Sequence, residues 1–171
     1  NLQTRFPGNA PLRASIEGQL HIKGNLALFV KPIIESGFIH ARAILEFLGL
    51  VARGGKLVQV SRRQPSDVAI EHYSISGKQL PMLTPDDVYA AINMPRPVVE
   101  WALVGIIENT NKLLAHVTTG EVLTMAMHGQ ITVAFEAMPA LLRSHFYEKM
   151  GRHDEFGHPY VFWEETNERN N

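Results

Sequence analysis

The sequence predicts an all-α protein, an antiparallel bundle of about four long helices with one irregular, partly extended insertion. Apolar residues recur at spacings of three and four along most of the chain, and proline and glycine divide these stretches into segments of helical length. Residues 52–83 lack that spacing. The 171 residues, 45% hydrophobic and 19% charged, suit one globular domain. We therefore expect a single helical domain over 1–171, with an insertion at 52–83 and an extended C-terminal tail at 151–171.

Two helices are expected in the first third of the chain. Leu12, Ile16, Leu20 and Ala27 stand at helical spacing and predict a helix from about Leu12 to Val30. A second helix is expected from Ile33 to Leu50, with Pro32 in its first turn or at a kink in a longer helix. Arg42 and Glu46 are four residues apart, so they can pair on the flank of this helix.

The insertion is basic. Between Phe47 and Ser66 the chain carries four cations and no acidic residue. These four, Arg53, Lys56, Arg62 and Arg63, could contact phosphates, although no aromatic residue lies among them for stacking on bases. A solvated loop is the alternative. The stretch DVAIEHYSI at 67–75 alternates roughly and predicts a short strand or hairpin arm.

The second half reads as helices with clear starts. Thr84 is a suitable N-cap and Pro85 suits the first helical position, with Asp86 and Asp87 next to the positive end of the helix dipole. That helix must be short, because Pro95 and Pro97 follow.

Two further helices are expected after Pro97. One has a buried face that runs as far as His116 and is marked by Val99, Leu103, Ile106, Ile107, Thr110, Leu114 and Val117. Thr118 and Glu121 have the spacing of a capping box, and a last helix is expected from about Glu121 to Met150, kinked at Pro139.

Composition excludes several classes of function. The formal net charge is −1, so no overall field attracts nucleic acid or an anionic membrane. The chain has no cysteine, which excludes disulfides, thiolate metal sites and cysteine nucleophiles. Neither a membrane span nor a signal peptide is visible, and no common nucleotide, hydrolase or zinc-protease motif occurs. We expect a cytoplasmic protein that has no cofactor and no metal and does not bind membranes.

A polar strip at the end of one helix is the best candidate site. Asn109, Lys112 and His116 are spaced i, i+3 and i+7 and share a helix face, with Asn111 beside them. An imidazole that exchanges a proton near neutral pH, next to a cation, is the minimum needed to cleave RNA without metal. The alternative is structural, because histidine in a last helical turn complements the helix dipole.

Two segments resemble the HEPN family. NKLLAHVT at 111–118 resembles the N-K-x-x-A-H segment of many members, and FIHARAILEFLGL at 38–50 resembles the family's second helix. DVAIEHY and TPDD fit bacterial members that carry a spacer between helix pairs. The resemblance covers about residues 12–150.

The resemblance implies a metal-independent ribonuclease, but with a departure from the family motif. Active members carry an Arg, usually followed by a polar residue, with four to six residues between the Arg and the His, and they act at a cleft between two protomers. Here His116 matches the motif histidine and Asn111 the polar residue, while Thr110 stands where the Arg would most naturally be. A hydroxyl cannot replace a planar, permanently charged guanidinium at a phosphate.

We therefore expect a HEPN-like homodimer in RNA-linked regulation or defence, such as a toxin–antitoxin or phage-defence system, with weak or absent nuclease activity. If it cleaves RNA, His116 is the general base or acid, Asn111 orients it, and Lys112 or Arg42 neutralises phosphate charge. The remaining cations, in the insertion, would bind the RNA backbone.

Two other functions stay open. The chain could be a non-catalytic helical dimerisation or partner-binding module that uses the insertion and the aromatic residues Tyr160, Phe162 and Trp163. Those aromatic residues could pack on their own bundle or on a second protomer. A small-ligand binder with a pocket in the bundle core is the third possibility. RHDEFGH at 152–158 has metal-ligand residue types, but its spacing and Gly157-His158-Pro159 favour a turn in a polar tail.

Overall fold

The structure is a computed structural model that describes residues 11–115 and 125–152. Within these ranges only the backbone is described for the residues numbered 14, 16, 20–22, 27, 29, 31, 112–115, 125 and 126.

The described chain is a mixed helix-and-sheet protein, so the prediction of an all-α bundle is wrong. Four α-helices and three antiparallel two-stranded hairpins occur in the described ranges. In chain order they are β1 Pro11–Ile16, β2 Gln19–Asn25, α1 Leu26–Phe47, β3 Leu50–Arg53, β4 Lys56–Gln59, β5 Ser74–Ile75, β6 Lys78–Gln79, α2 Pro85–Ala91, α3 Arg96–Ala115 and α4 Met125–Leu142.

Each hairpin closes through a two-residue turn in which both residues have positive φ. The turns are Glu17-Gly18 (51° and 77°), Gly54-Gly55 (57° and 71°) and Ser76-Gly77 (51° and 79°). Positive φ at both positions is the requirement of a type I′ turn, whose twist matches that of the flanking strands. Glycine supplies the second residue each time, because it adopts this conformation at little cost.

The helix predicted from Leu12 to Val30 is therefore largely a hairpin. β1 pairs with β2 from Pro11 opposite Asn25 to Ile16 opposite Gln19, with a bulge between Ala14 and Ser15. A spacing of four is also two strand periods, so the sequence pattern fitted both structures.

The second predicted helix begins earlier than expected. α1 is one continuous helix of 22 residues, Leu26–Phe47, and Pro32 lies inside it. The alternative of a longer helix that contains Pro32 is thus the one observed. Arg42 pairs with Glu46 as predicted, with 2.9 Å between Arg42 Nε and Glu46 Oε1.

The insertion contributes to the main core. Leu57, Ile70, Leu80 and Leu83 are all buried and belong to the same cluster as the helices. The segment 67–75, predicted as a strand or hairpin arm, begins irregularly. A 3₁₀ turn spans Ile70–His72, and only the last two residues pair as β5.

The start of α2 is confirmed in detail. Thr84 caps the helix and Pro85 is its first residue. The Asp87 amide donates to the Thr84 hydroxyl at 3.3 Å, and the Thr84 amide donates to the Asp87 carboxylate at 2.7 Å. This reciprocal pair is a capping box.

Side chains of α1, α3 and α4 belong to one buried cluster. Leu45, Leu103, Ile106 and Leu141 are almost fully buried in it. α3 runs back along α1, because Thr110 near its end meets Phe38, while Glu100 near its start reaches Leu57 just beyond α1.

The last predicted helix, Glu121–Met150, ends earlier than expected as an α-helix. Within the described residues α4 is Met125–Leu142, and a π-helical turn, Arg143–Tyr147, follows it. Pro139, the expected kink, lies inside α4. The predicted capping box of Thr118 and Glu121 lies outside the described residues. None of the helices in the described ranges combines the length and the apolarity that crossing a membrane requires.

Candidate functional site

Thr110, the residue at the expected position of the motif arginine, points into the core. Its side chain is 1% exposed. Its hydroxyl oxygen lies 2.6 Å from the Ile106 carbonyl oxygen and 3.2 Å from that of Phe38, so its single proton is shared between these two acceptors. The second contact joins α3 to α1. Position 110 therefore serves helix packing and does not face solvent.

The neighbouring Asn109 is held by a buried glutamine of α4. The Asn109 amide Nδ2 donates to Gln130 Oε1 at 2.9 Å, and Gln130 Nε2 lies 3.5 Å from the Trp101 carbonyl oxygen. Gln130 is only 7% exposed and fits against α3 because Gly105 has no side chain there. The Asn109 amide is thus committed to holding α3 and α4 together.

Asn111 is exposed at the surface of α3, so a larger side chain at this position would extend into solvent. Lys112 lies on the same helix, but its side chain is not described. His116 lies outside the described residues, so its predicted role stays a prediction.

Arg42, proposed as an alternative phosphate ligand, has an acidic partner. Its guanidinium is engaged with Glu46, and the two side chains are 31% and 40% exposed. An Arg already neutralised by a carboxylate is a weaker anchor for phosphate than an unpaired one.

The basic residues of the insertion divide into two groups. Arg63 is structural. Its Nε and Nη2 donate to the two carboxylate oxygens of Glu71, and Nη2 also approaches the Phe47 carbonyl oxygen at the end of α1. Burial acts to raise the pKa of Glu71, but the hydrogen bonds and charge of Arg63 outweigh it, so the pKa of this carboxyl lies below its usual value.

The other three cations of the insertion are exposed. Arg53 and Lys56 flank the β3–β4 turn, and Arg62 follows a few residues later. Arg53 donates to the Ser61 hydroxyl at 3.1 Å. Within the described residues none of the three has a carboxylate within ion-pair distance. We call these three residues the hairpin cations.

A cleft of about 440 Å³ lies between the β3–β4 turn and α3. Glu100 and Glu108 line it, together with Trp101 and Gln130. Two carboxylates repel phosphate, so this face of α3 is unfavourable for an RNA backbone.

A second cavity, of about 290 Å³, lies between α1 and α4 and is walled almost entirely by apolar groups. Its walls include Ile34, Gly37 and Ala41 from α1 and Phe135, Met138 and Pro139 from α4. We call it the α1–α4 groove. Phe135 is 68% exposed at its edge. The sequence prediction missed this groove, because a helix that is apolar on several sides does not reveal which side stays uncovered.

No metal site is found among the described side chains, where no three histidine, aspartate or glutamate residues converge. Of RHDEFGH only Arg152 is described. Comparisons with protein families, with curated proteins and with solved structures find no match to this chain.

Proposed function

We propose that this chain is a HEPN-like module that binds RNA and does not cleave it by the family's Arg–His chemistry. The observation that carries the proposal is the orientation of Thr110. The residue that stands in place of the motif arginine is buried and hydrogen-bonded between α3 and α1. An arginine there would bury a charge, so the departure from the motif is built into the packing of this helix.

The lack of cleavage follows from the need for a cation at the reacting phosphate. Transition-state charge on a phosphorane is stabilised by a preorganised guanidinium or similar group. Asn109 is committed to Gln130, and Arg42 is paired with Glu46. His116 could move a proton, and Lys112 would supply only a point charge where the family uses a planar guanidinium fork.

The hairpin cations support RNA binding. Arg53, Lys56 and Arg62 are exposed and can approach phosphates, and Gly54-Gly55 keeps the hairpin tip free of side chains. Binding of this kind is electrostatic and carries little sequence preference.

The test is the salt dependence of binding to a labelled single-stranded RNA, followed by fluorescence anisotropy. The triple variant R53Q/K56Q/R62Q should bind at least tenfold more weakly than the wild type at low salt. The slope of log K against log salt should be about 2 smaller, since each phosphate contact with a single strand contributes about 0.7.

The matched control is the triple variant R13Q/K23Q/K78Q, which removes the same charge from exposed positions on the other two hairpins. It should keep the wild-type slope. Equal losses of affinity in both variants would mean that binding depends on net charge alone. An unchanged salt slope in R53Q/K56Q/R62Q would mean that the hairpin cations do not contact the RNA.

A second candidate function, self-association without RNA, is favoured by exposed apolar side chains on α1. Leu28 is 77% exposed and Ile39 is 40% exposed. Eleven residues are about three helical turns, so these two side chains share one side of the helix. L28E/I39E should lower the dimer fraction in sedimentation equilibrium, independently of salt, if this face forms a homodimer. If the wild-type protein is a monomer in sedimentation equilibrium, this candidate function is wrong.

A further inference from the structure

The α1–α4 groove exposes apolar surface that a folded chain usually covers. It is lined by Ile34, Gly37 and Ala41 on one side and by Phe135 and Met138 on the other. Phe135 is 68% exposed, and Ile33 at 55% lies one turn before Gly37 on the same helix. Adjacent exposed side chains of this size mark a place where another apolar group binds.

The groove has room for an aromatic side chain. An apolar cavity of about 150 Å³ is large enough to hold benzene. The groove measures about 290 Å³. Gly37 adds no side chain to the groove, and a Cβ at this position would be in ordinary contact with Phe135 Cζ at 3.8 Å.

The chain carries a matching group close by in sequence. The segment Tyr160–Trp163 is a block of four apolar residues, three of them aromatic, and a polar run follows it. It belongs to the residues beyond Arg152, where the described structure ends. Gly157 and Pro159 precede the block and favour a reversal of chain direction.

The reach of the chain is sufficient. α4 follows α1 in the same direction, because Phe135 lies at Gly37 and the Phe146 ring packs on Phe47 with 5.2 Å between centroids. Arg152 is fixed just beyond this end, since its amide donates to the Tyr147 carbonyl at 2.9 Å.

The return path is shorter than the available chain. From position 147 back to Phe135 is about 18 Å along a helix, at 1.5 Å per residue. The eight residues from Arg152 to Tyr160 can span about 26 Å.

We propose that the segment Tyr160–Trp163 docks into the α1–α4 groove of its own molecule. The groove is then an intramolecular binding site that this segment covers. This inference is independent of RNA binding.

The first experiment uses Trp163 as a reporter in the full chain. Trp101→Phe leaves Trp163 as the only tryptophan, because the sequence contains two. Docking predicts a blue-shifted emission and weak quenching by acrylamide, at every protein concentration. Gly37→Leu fills the groove and should shift the emission to that of free tryptophan. The control is Val68→Ala, because Val68 is 67% exposed and does not line the groove, and it should leave the emission unchanged.

Emission like that of free tryptophan, or emission unaffected by Gly37→Leu, overturns the proposal. A blue shift that grows with protein concentration places the segment on a second copy and also overturns it.

A second measurement does not depend on the Trp101→Phe variant. The full-length double variant F162S/W163S should bind the dye anilinonaphthalene sulfonate severalfold more than the wild type. Gly37→Leu should remove the increase. Equal dye binding by the wild type and the double variant would mean that the segment does not cover the groove.

Discussion

Thr110 decides how the candidate site should be interpreted at the scale of single residues. Apolar spacing predicted that Thr110 lies on the buried face of its helix, and the structure confirms this, since the side chain is 1% exposed. Its hydrogen-bonding partners, the carbonyl oxygens of Ile106 and Phe38, were not predicted, because Phe38 belongs to another helix.

This orientation predicts unequal effects of introducing arginine at adjacent positions. Thr110→Arg should lower the free energy of unfolding by about 3 kcal/mol or more, because it buries an unpaired charge. Asn111→Arg, which meets solvent, should change it by no more than about 0.5 kcal/mol. Urea unfolding of both variants is the measurement. Equal stability of the two would show that position 110 is not enclosed.

A second residue-scale prediction concerns Gly105. A Cβ added here would lie 1.9 Å from Gln130 Nε2, which is impossible without movement of the buried amide. Gly105→Ala should therefore cost about 1–3 kcal/mol despite the better helix propensity of alanine.

The control for Gly105 is another helical glycine. Gly37→Ala meets only Phe135 Cζ at 3.8 Å, so it should stabilise the protein by about 0.5–1 kcal/mol. Thermal unfolding compares the two, and a stable Gly105→Ala protein would contradict the tight contact between α3 and α4.

At the scale of elements, the capped helix α2 was predicted from sequence because its chemistry is local. Thr84, Pro85 and Asp87 act within one turn, so three adjacent residues hold the necessary information. The β1–β2 hairpin was missed because Leu12, Ile16 and Leu20 fit both helical and strand periods. The turn residues are the sequence signal that distinguishes a hairpin from a helix. All three hairpin turns have glycine at their second position, and Gly54-Gly55 is a standard hairpin pair.

The capping box of α2 predicts a pH-dependent contribution to stability. Hydrogen bonds from the Thr84 side chain and backbone lower the pKa of Asp87 in the folded state. The stabilisation is therefore fully present above the ordinary carboxyl pKa and is lost as the pH falls through the lowered pKa. The wild type should exceed Asp87→Asn in unfolding free energy at neutral pH, and the difference should vanish in acid.

Asp86→Asn serves as the control for this pH dependence. Asp86 pairs with Arg96 at 3.2 Å, but both side chains are largely exposed, so the pair contributes little. The stability difference between the wild type and Asp86→Asn should stay nearly flat over the same pH range. A similar acid loss for both variants would assign the effect to general charge and not to the cap.

At the scale of the whole molecule, the interiors of the long helices were predictable from the sequence, and the hairpins with their contribution to the core were not. The interiors of α1 and α3 were expected from their apolar spacing, and both are present. The insertion looked like a separate arm because its apolar residues are scattered. Leu57, Ile70, Leu80 and Leu83 nevertheless join the common core, through contacts that no local period records.

The candidate site was predictable only in part for the same reason. The sequence predicted that Asn109, Thr110 and Asn111 lie on one helix, and α3 contains all three. Their different environments depend on residues far away in the sequence. Thr110 contacts Phe38 of α1, 72 residues earlier, and Asn109 contacts Gln130 of α4, 21 residues later. The pairing of Arg63 with Glu71 likewise required the fold of the insertion.

Binding and cleavage of one RNA, measured in the same sample, test the central claim most directly. A single-stranded RNA with an end label is titrated with the wild-type protein until anisotropy reports full binding, and the length of the RNA is then read on a denaturing gel. We predict complete, salt-sensitive binding with the RNA intact, at a level no different from His116→Ala. Shortened RNA that stays intact with His116→Ala would contradict the account, and so would the absence of any binding at low salt.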